Sequence, residues 1–158
     1  MDVNKSLTRA REEYKANKKF FRKLKARPPR DLDHRFHEAH DEVFARIDCL
    51  DCANCCKTTS PIFRDVDIDR LARHLGIRPA ELVDRHLHLD SEGDYVLNVA
   101  PCPFLGPDNY CSVYEARPRA CREYPHTDRK NMLQILPLTL RNTLVCPAVG
   151  EIVRRLEG

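Results

Sequence analysis

The segment DCLDCANCCKTTSP, residues 48 to 61, holds Cys49, Cys52, Cys55 and Cys56 within eight positions, in the spacing C-x2-C-x2-C-C. Nothing else in the chain restricts the fold as strongly. A run that mixes Asp, Asn, Lys, Thr and Ser with its thiols makes a poor core segment, so these cysteines do not read as small buried hydrophobes. Four more, Cys102, Cys111, Cys121 and Cys146, follow at separate places. At 158 residues the chain has about the length of one domain, and with no Trp and 7% aromatics it has few large side chains to anchor a core. Stability from another source is therefore expected. The N-terminus shows no apolar leader and no stretch has the length of a membrane span, so the expected location is cytoplasmic. In that reducing compartment, tight thiol spacing favours metal over a disulfide framework.

The net charge of +3 is unevenly shared: residues 1 to 30 carry 11 Lys or Arg against three acids, giving +8, and residues 31 to 158 carry −5. The basic segment predicts a helix over 5 to 27, ended by Pro28 and Pro29. Its cations could replace the counterions of a nucleic acid or meet an acidic partner. The plainer reading is a solvated helix with Leu7, Tyr14, Phe20, Phe21 and Leu24 as its docking side. The next segment repeats apolar residues at Leu32, Phe36, Ala39, Val43 and Ile47, a helical period that leads directly to Cys49. His34, His37 and His40 lie on it and are read as surface or core histidines, since the cysteines already supply enough ligands. Two short amphipathic segments, parted by Gly76 and restarted at Pro79, imitate a helix-turn-helix. The second offers Glu81, Asp84 and Arg85 outward, a set that repels phosphate as much as it attracts it, so a packing hairpin is expected. The Gly93-Asp94 turn signal and Tyr95, Val96 and Leu97 predict a short strand, and a closing helix follows Cys146-Pro147. The expected fold is mostly α with a small β-hairpin: a small metal-nucleated α+β domain over 31 to 158, with an N-terminal helical extension over 1 to 30.

Cys49, Cys52 and Cys55 at i, i+3 and i+6 form the kind of tight loop that converges thiolates on one centre, as in C-x2-C-x2-C iron-sulfur loops. Soft thiolates suit zinc and iron-sulfur clusters alike. The run CLDCANCC, then CPFL, then CSVYEARPRACREYP, then a single late Cys146, resembles the YkgJ-type cysteine-cluster family, the CxxCxxCC zinc- or iron-chelating domain, over about residues 49 to 147. The resemblance implies that Cys49, Cys52, Cys55, Cys56, Cys102, Cys111, Cys121 and Cys146 are metal ligands. It implies metal more firmly than any reaction. One departure is Ala53, where many relatives carry Gly after the second cysteine.

Four thiolates around zinc, or around a 4Fe-4S core, leave a formal charge of about −2 that nearby donors must offset. Lys57, Arg117, Arg119 and Arg122 neighbour cysteines in sequence, with Arg117 and Arg122 the first candidates to hydrogen-bond the sulfurs. Tyr124 and His126 are the other polar groups near a ligand, but no partner at fixed spacing identifies an acid, base or nucleophile. Adjacent side chains diverge, so Cys55 and Cys56 are expected to face two places. Two four-ligand centres or one larger cluster would follow, and a single centre with four spare thiols is the rival. The cofactor is an iron-sulfur cluster, 4Fe-4S before other types, or zinc. The function is metal binding in redox or in assisting a modification, with a protein or small-molecule partner and no membrane. A zinc-stabilised module that binds a protein or nucleic-acid partner is the alternative, with nucleic acid the less favoured. Nucleotide-enzyme and hydrolase motifs such as G-x-x-x-x-G-K and G-x-S-x-G are absent.

Overall fold

A computed structural model describes residues 1 to 158. In chain order its helices are α1 (Val3–Ala26), α2 (Leu32–Phe44), α3 (Cys49–Cys52), α4 (Asn54–Thr58), α5 (Asp65–Leu75), α6 (Pro79–His86), α7 (Arg119–Glu123), α8 (Leu136–Asn142) and α9 (Pro147–Glu157). One antiparallel hairpin pairs β1 (Leu87–Leu89) with β2 (Tyr95–Leu97). The fold is thus mostly α with a small β-hairpin, as the patterning predicts. The chain divides into two compact units, Met1–Cys52 with Pro125–Gly158, and Ala53–Tyr124.

In the first unit, α1 opens with the Asp2 carboxylate accepting the Lys5 N–H at 3.0 Å and stops short of Pro28-Pro29. Leu7, Phe21 and Leu24 are buried, with Tyr14 and Phe20 half-buried beside them, so the apolar side read from the sequence is the docking side. It packs on α8 and α9, and Arg154 of α9 donates to Glu13 at 3.0 Å. On α2, Leu32, Phe36, Ala39 and Val43 recur at helical spacing and are buried. The α2 histidines fasten chain: His37 Nε2 donates to the Arg129 carbonyl at 2.8 Å, and His40 Nδ1 lies 2.7 Å from the Thr127 hydroxyl. Asp33 accepts the N–H groups of Asn131 and Met132 at 2.9 and 2.8 Å, which caps a 3-10 turn over Met132–Ile135. The central element is α9, started by Pro147 and burying Ala148, Val149, Ile152 and Val153.

In the second unit, Gly76 ends α5 in the left-handed region at φ 71°, with the Ile77 N–H returning to the Ala72 carbonyl at 3.0 Å. Pro79 restarts the chain as α6, which packs on α5 through Leu82, while Arg85 and Glu81 pair outward at 2.5 Å. The helix-turn-helix lookalike is a packing hairpin. The Phe63 N–H donates to the Tyr95 carbonyl at 2.9 Å, and Asp90 accepts the N–H groups of Glu92 and Asp94 in the hairpin turn. Phe63, Ile68, Leu71, Ala72, Leu82, Leu87, Leu97, Val113 and Ala116 form this core. No helix in the chain is long and apolar enough to cross a membrane.

Candidate metal centre

The cysteine run is two single helical turns, α3 and α4, joined by Ala53. Ala53 is buried at φ 47°, ψ 19°, a left-handed conformation that costs a residue with a Cβ about 1 to 2 kcal/mol. Glycine, which has no Cβ, takes this conformation without that cost. Ala53→Gly should stabilise the protein by about 0.5 kcal/mol, because relief of strain exceeds the added chain entropy of glycine. A rise in the urea midpoint would show it, and a fall would mean that the methyl group matters more for packing than the backbone does.

In the second unit, Cys56, Cys102, Cys111 and Cys121 stand close enough to feel one another's charge. The Cys102 N–H donates to the Cys56 carbonyl at 2.8 Å, and an isolated bridge pairs Leu105 with Cys111. Gly106 closes the loop between them: a Cβ there would sit 2.8 Å from Asp108 Oδ1 and 3.2 Å from the Tyr110 carbonyl. Burial pushes the Cys121 thiol up to about 12, helped by Cys56, Cys102 and Cys111. Burial also raises Cys102 and Cys111. Cys56 goes the other way, down to about 6, chiefly through a hydrogen bond from Cys55, against the effect of burial, with help from the charges of Arg117 and Lys57.

Three sulfurs are met by backbone donors. The amides of Phe104 and Leu105 act on the Cys102 sulfur, that of Val113 on Cys111 and those of Ala148 and Val149 on Cys146, each favouring the thiolate, while the Leu105 and Val149 N–H groups donate to the Cys102 and Cys146 carbonyls at 3.1 and 3.0 Å. Two of these sites share a sequence form: Cys102-Pro103 and Cys146-Pro147 each put proline at i+1 and their donors at i+2 and i+3. Proline has no N–H of its own and fixes φ, which turns the next two amides toward the sulfur. In the first unit, Cys146 also feels the charges of Cys49 and Cys52, which flank the single turn of α3. Burial is the main cause that takes Cys146 up to about 11.

Of the cations expected beside the sulfurs, Arg117 lowers Cys56, Cys111 and Cys121 by its charge. Its guanidinium lies over the Tyr114 ring at 3.7 Å, and its Nε donates to the Tyr114 carbonyl at 2.9 Å. Lys57 acts on Cys56. Arg122 is exposed on α7 and is not among the charges that shift these thiols. Arg119 pairs with Glu123 at 2.6 Å. Tyr124 is half-buried, and His126 takes a left-handed φ of 64°.

Asp67 is the residue that sequence reasoning passes over. It is fully buried and accepts from Arg64 Nε at 2.9 Å, from Arg70 Nη2 at 2.8 Å and from the Arg119 N–H at 3.2 Å. Arg70 in turn donates to the Arg117 carbonyl at 2.8 Å. The pair braces Arg117-Pro118-Arg119, the stretch that leads into α7 and Cys121. Aspartate three residues after Arg64, at the start of an amphipathic segment, is the one local signal, since it also completes the α5 cap.

No three Cys, His, Asp or Glu side chains are drawn to the spacing of a closed metal site. The donor chemistry nevertheless fits a soft cation. Four half-buried thiols, Cys56, Cys102, Cys111 and Cys121, gather in one unit, and thiolate is the ligand that zinc and iron-sulfur centres take. A family model described as CxxCxxCC, a "putative zinc- or iron-chelating domain", matches residues 48–140, more than half of the chain. Neither a curated protein nor a solved structure matches it.

Proposed function

The chain belongs to the CxxCxxCC family, and on that premise we propose that it is an iron-sulfur protein of a reducing, cytoplasmic compartment, with one metal centre in each unit. Cys56, Cys102, Cys111 and Cys121 hold the centre of the second unit, beside Cys55. Cys49, Cys52 and Cys146 supply the thiols of the first. The observation that carries this reading is the grouping of four thiols from separate places in the chain, Cys56, Cys102, Cys111 and Cys121, near enough to act on one another's charge and tied by the Cys102 N–H to the Cys56 carbonyl at 2.8 Å. When bound, a 4Fe-4S cluster supplies one-electron chemistry. The chain's own part is to fix the sulfurs, to place the charge of Arg117 near them and to half-bury Cys121 and Cys146. This suits electron transfer to, or an assisted modification of, a protein or small molecule. A group of four thiols also suits tetrahedral zinc in a structural role, the second reading.

Anaerobic purification followed by iron, sulfide and zinc analysis separates the two. Iron with equimolar acid-labile sulfide and a broad visible absorption is expected, and stoichiometric zinc in a colourless protein would replace the first reading with the second. Cys121→Ser should lose the centre of the second unit and keep the other, and Cys146→Ser should do the reverse. If both variants lose the same metal, or if the wild type binds none, the two-centre arrangement is wrong.

A further inference from the structure

The exposed side of α1 has no role in the reading above. Arg11, Lys15, Lys18, Arg22 and Lys25 follow one another at alternating steps of four and three, which keeps them in one row along the helix. All five are exposed and none is in an ion pair. At 1.5 Å per residue the row runs for about 21 Å. Residues 14 to 30 contain eight Lys or Arg and not one acid.

A helix face that only needs solvation interleaves the two signs, because like charges at i, i+4 each cost about 0.2 to 0.5 kcal/mol. This row takes that cost at each four-residue step, and Glu12, three residues before Lys15, is the one acid at neighbouring spacing to it. The row is also held in place: Leu7, Ala10, Phe21 and Leu24 bury an adjacent side of the helix, and Arg154 clamps Glu13. The cations are therefore arranged before any partner arrives. Residues 31 to 158 carry −5, so a polyanion is drawn to α1 and repelled by the rest.

We propose that α1 is a docking rod for the phosphate backbone of duplex nucleic acid, bound without regard to sequence. The chemistry selects this occupant over others. A lipid surface would need apolar residues toward the membrane, and those of α1 are committed to the core. A single strand would need aromatic platforms, but Phe21 is buried and Tyr14 and Phe20 pack against the core. Base reading calls for amide or arginine forks that reach edges within a groove, and Asn17 is buried. What the row offers is evenly spaced charge, which is what a phosphate backbone takes. The acidic outer face of α6 argues against base reading by the helix-turn-helix lookalike and leaves backbone contact by α1 untouched.

The test is fluorescence anisotropy of the purified full chain with a labelled 20-base-pair DNA duplex of arbitrary sequence, and it does not depend on which metal the protein carries. Five phosphate contacts give a slope of about −4.5 in log K against log salt, so affinity should fall about 500-fold from 50 to 200 mM salt. Changing all five residues to Gln should weaken binding at least 100-fold at low salt and leave metal content and helicity unchanged. Changing Arg73, Arg78, Arg129 and Lys130 to Gln, four cations outside α1, should cost less than 5-fold. The proposal is overturned by a wild-type slope shallower than about −2, by undiminished binding in the five-residue variant, or by tighter binding to single strands or to phosphatidylserine vesicles than to the duplex. The salt slope needs no variant, so the proposal stays open to refutation even if the five-residue variant fails to fold.

Discussion

Protein stripped of metal by a strong chelator under reducing conditions should lose the cooperative fold of residues 53 to 124. That unit has 72 residues and a core cluster of nine buried hydrophobic side chains, with Phe63 the only aromatic among them. A core of that size rarely supplies more than about 3 to 5 kcal/mol on its own, whereas a structural metal site contributes about 10 kcal/mol or more. Cys102 and Cys111 pack against this same core, so freeing them also loosens Phe104 and its neighbours. Hydrogen exchange is the suitable measurement: protection should collapse across 53 to 124 on demetallation and return with metal. Unchanged protection and an unchanged thermal transition in fully demetallated protein would show that the thiol groups are not folding elements.

Asp67→Asn should be the most damaging single substitution outside the cysteines. It removes the charge that Arg64 and Arg70 are built around, and breaking a buried pair costs about 3 kcal/mol or more. In a unit this small that is a fall in melting temperature on the order of 10 °C. The effect has a pH signature. Burial alone would raise the Asp67 carboxyl, but hydrogen bonds from the Arg64 side chain and backbone, the Arg119 backbone and the Arg70 side chain overcome it and hold the group well below the usual carboxylate range. The unfolded carboxyl takes up its proton near pH about 3.9, while the native one does not. Its contribution is thus fully present above about pH 4 and is lost as pH falls toward the depressed native value, by up to about 1.4 kcal/mol per pH unit. Wild type and Asp67→Asn should therefore differ most at pH 7 and converge in acid. A constant difference from pH 7 to pH 3 would mean that the carboxylate charge is not what holds the brace.

Local chemistry made much of this fold legible. Pro28-Pro29 ended α1 where expected, the spacing of Leu32, Phe36, Ala39 and Val43 chose the buried side of α2, and Gly76 with Pro79 marked the α5–α6 turn. Each depends on backbone geometry or periodicity within a few residues. What escaped depends on groups far apart in sequence. Asp67 meets the Arg119 N–H 52 residues away, a contact that no pattern around either residue announces. The cysteine run was expected as a loop and is two helical turns, because Ala53 accepts a left-handed conformation that its side chain does not advertise. The Cys-Pro pairs at 102 and 146 were visible and were not read for what they do, which is to aim amides at sulfur. Arg117 acts on the thiols by its charge while its guanidinium lies over Tyr114, and Arg122, next to Cys121 in sequence, is exposed.

The first unit is made of two chain segments, and residues 53 to 124 interrupt it. During synthesis α1 and α2 emerge before residues 53 to 124, and the helix that completes their core, α9, arrives only after them. Until then the cluster of Phe21, Leu24, Phe36 and Val43 is only partly covered, and joining the segments means closing a loop of about 72 residues, an entropic cost of about 4 kcal/mol or more. Cys56 and Cys121 lie near the two ends of that interruption and feel each other's charge within the folded second unit. A cation held by both would pin those ends and remove most of the closure cost before α9 leaves the ribosome. Metal supply would then set the speed and yield of maturation, so chains made under metal starvation should accumulate as protease-sensitive intermediates with the early helices exposed.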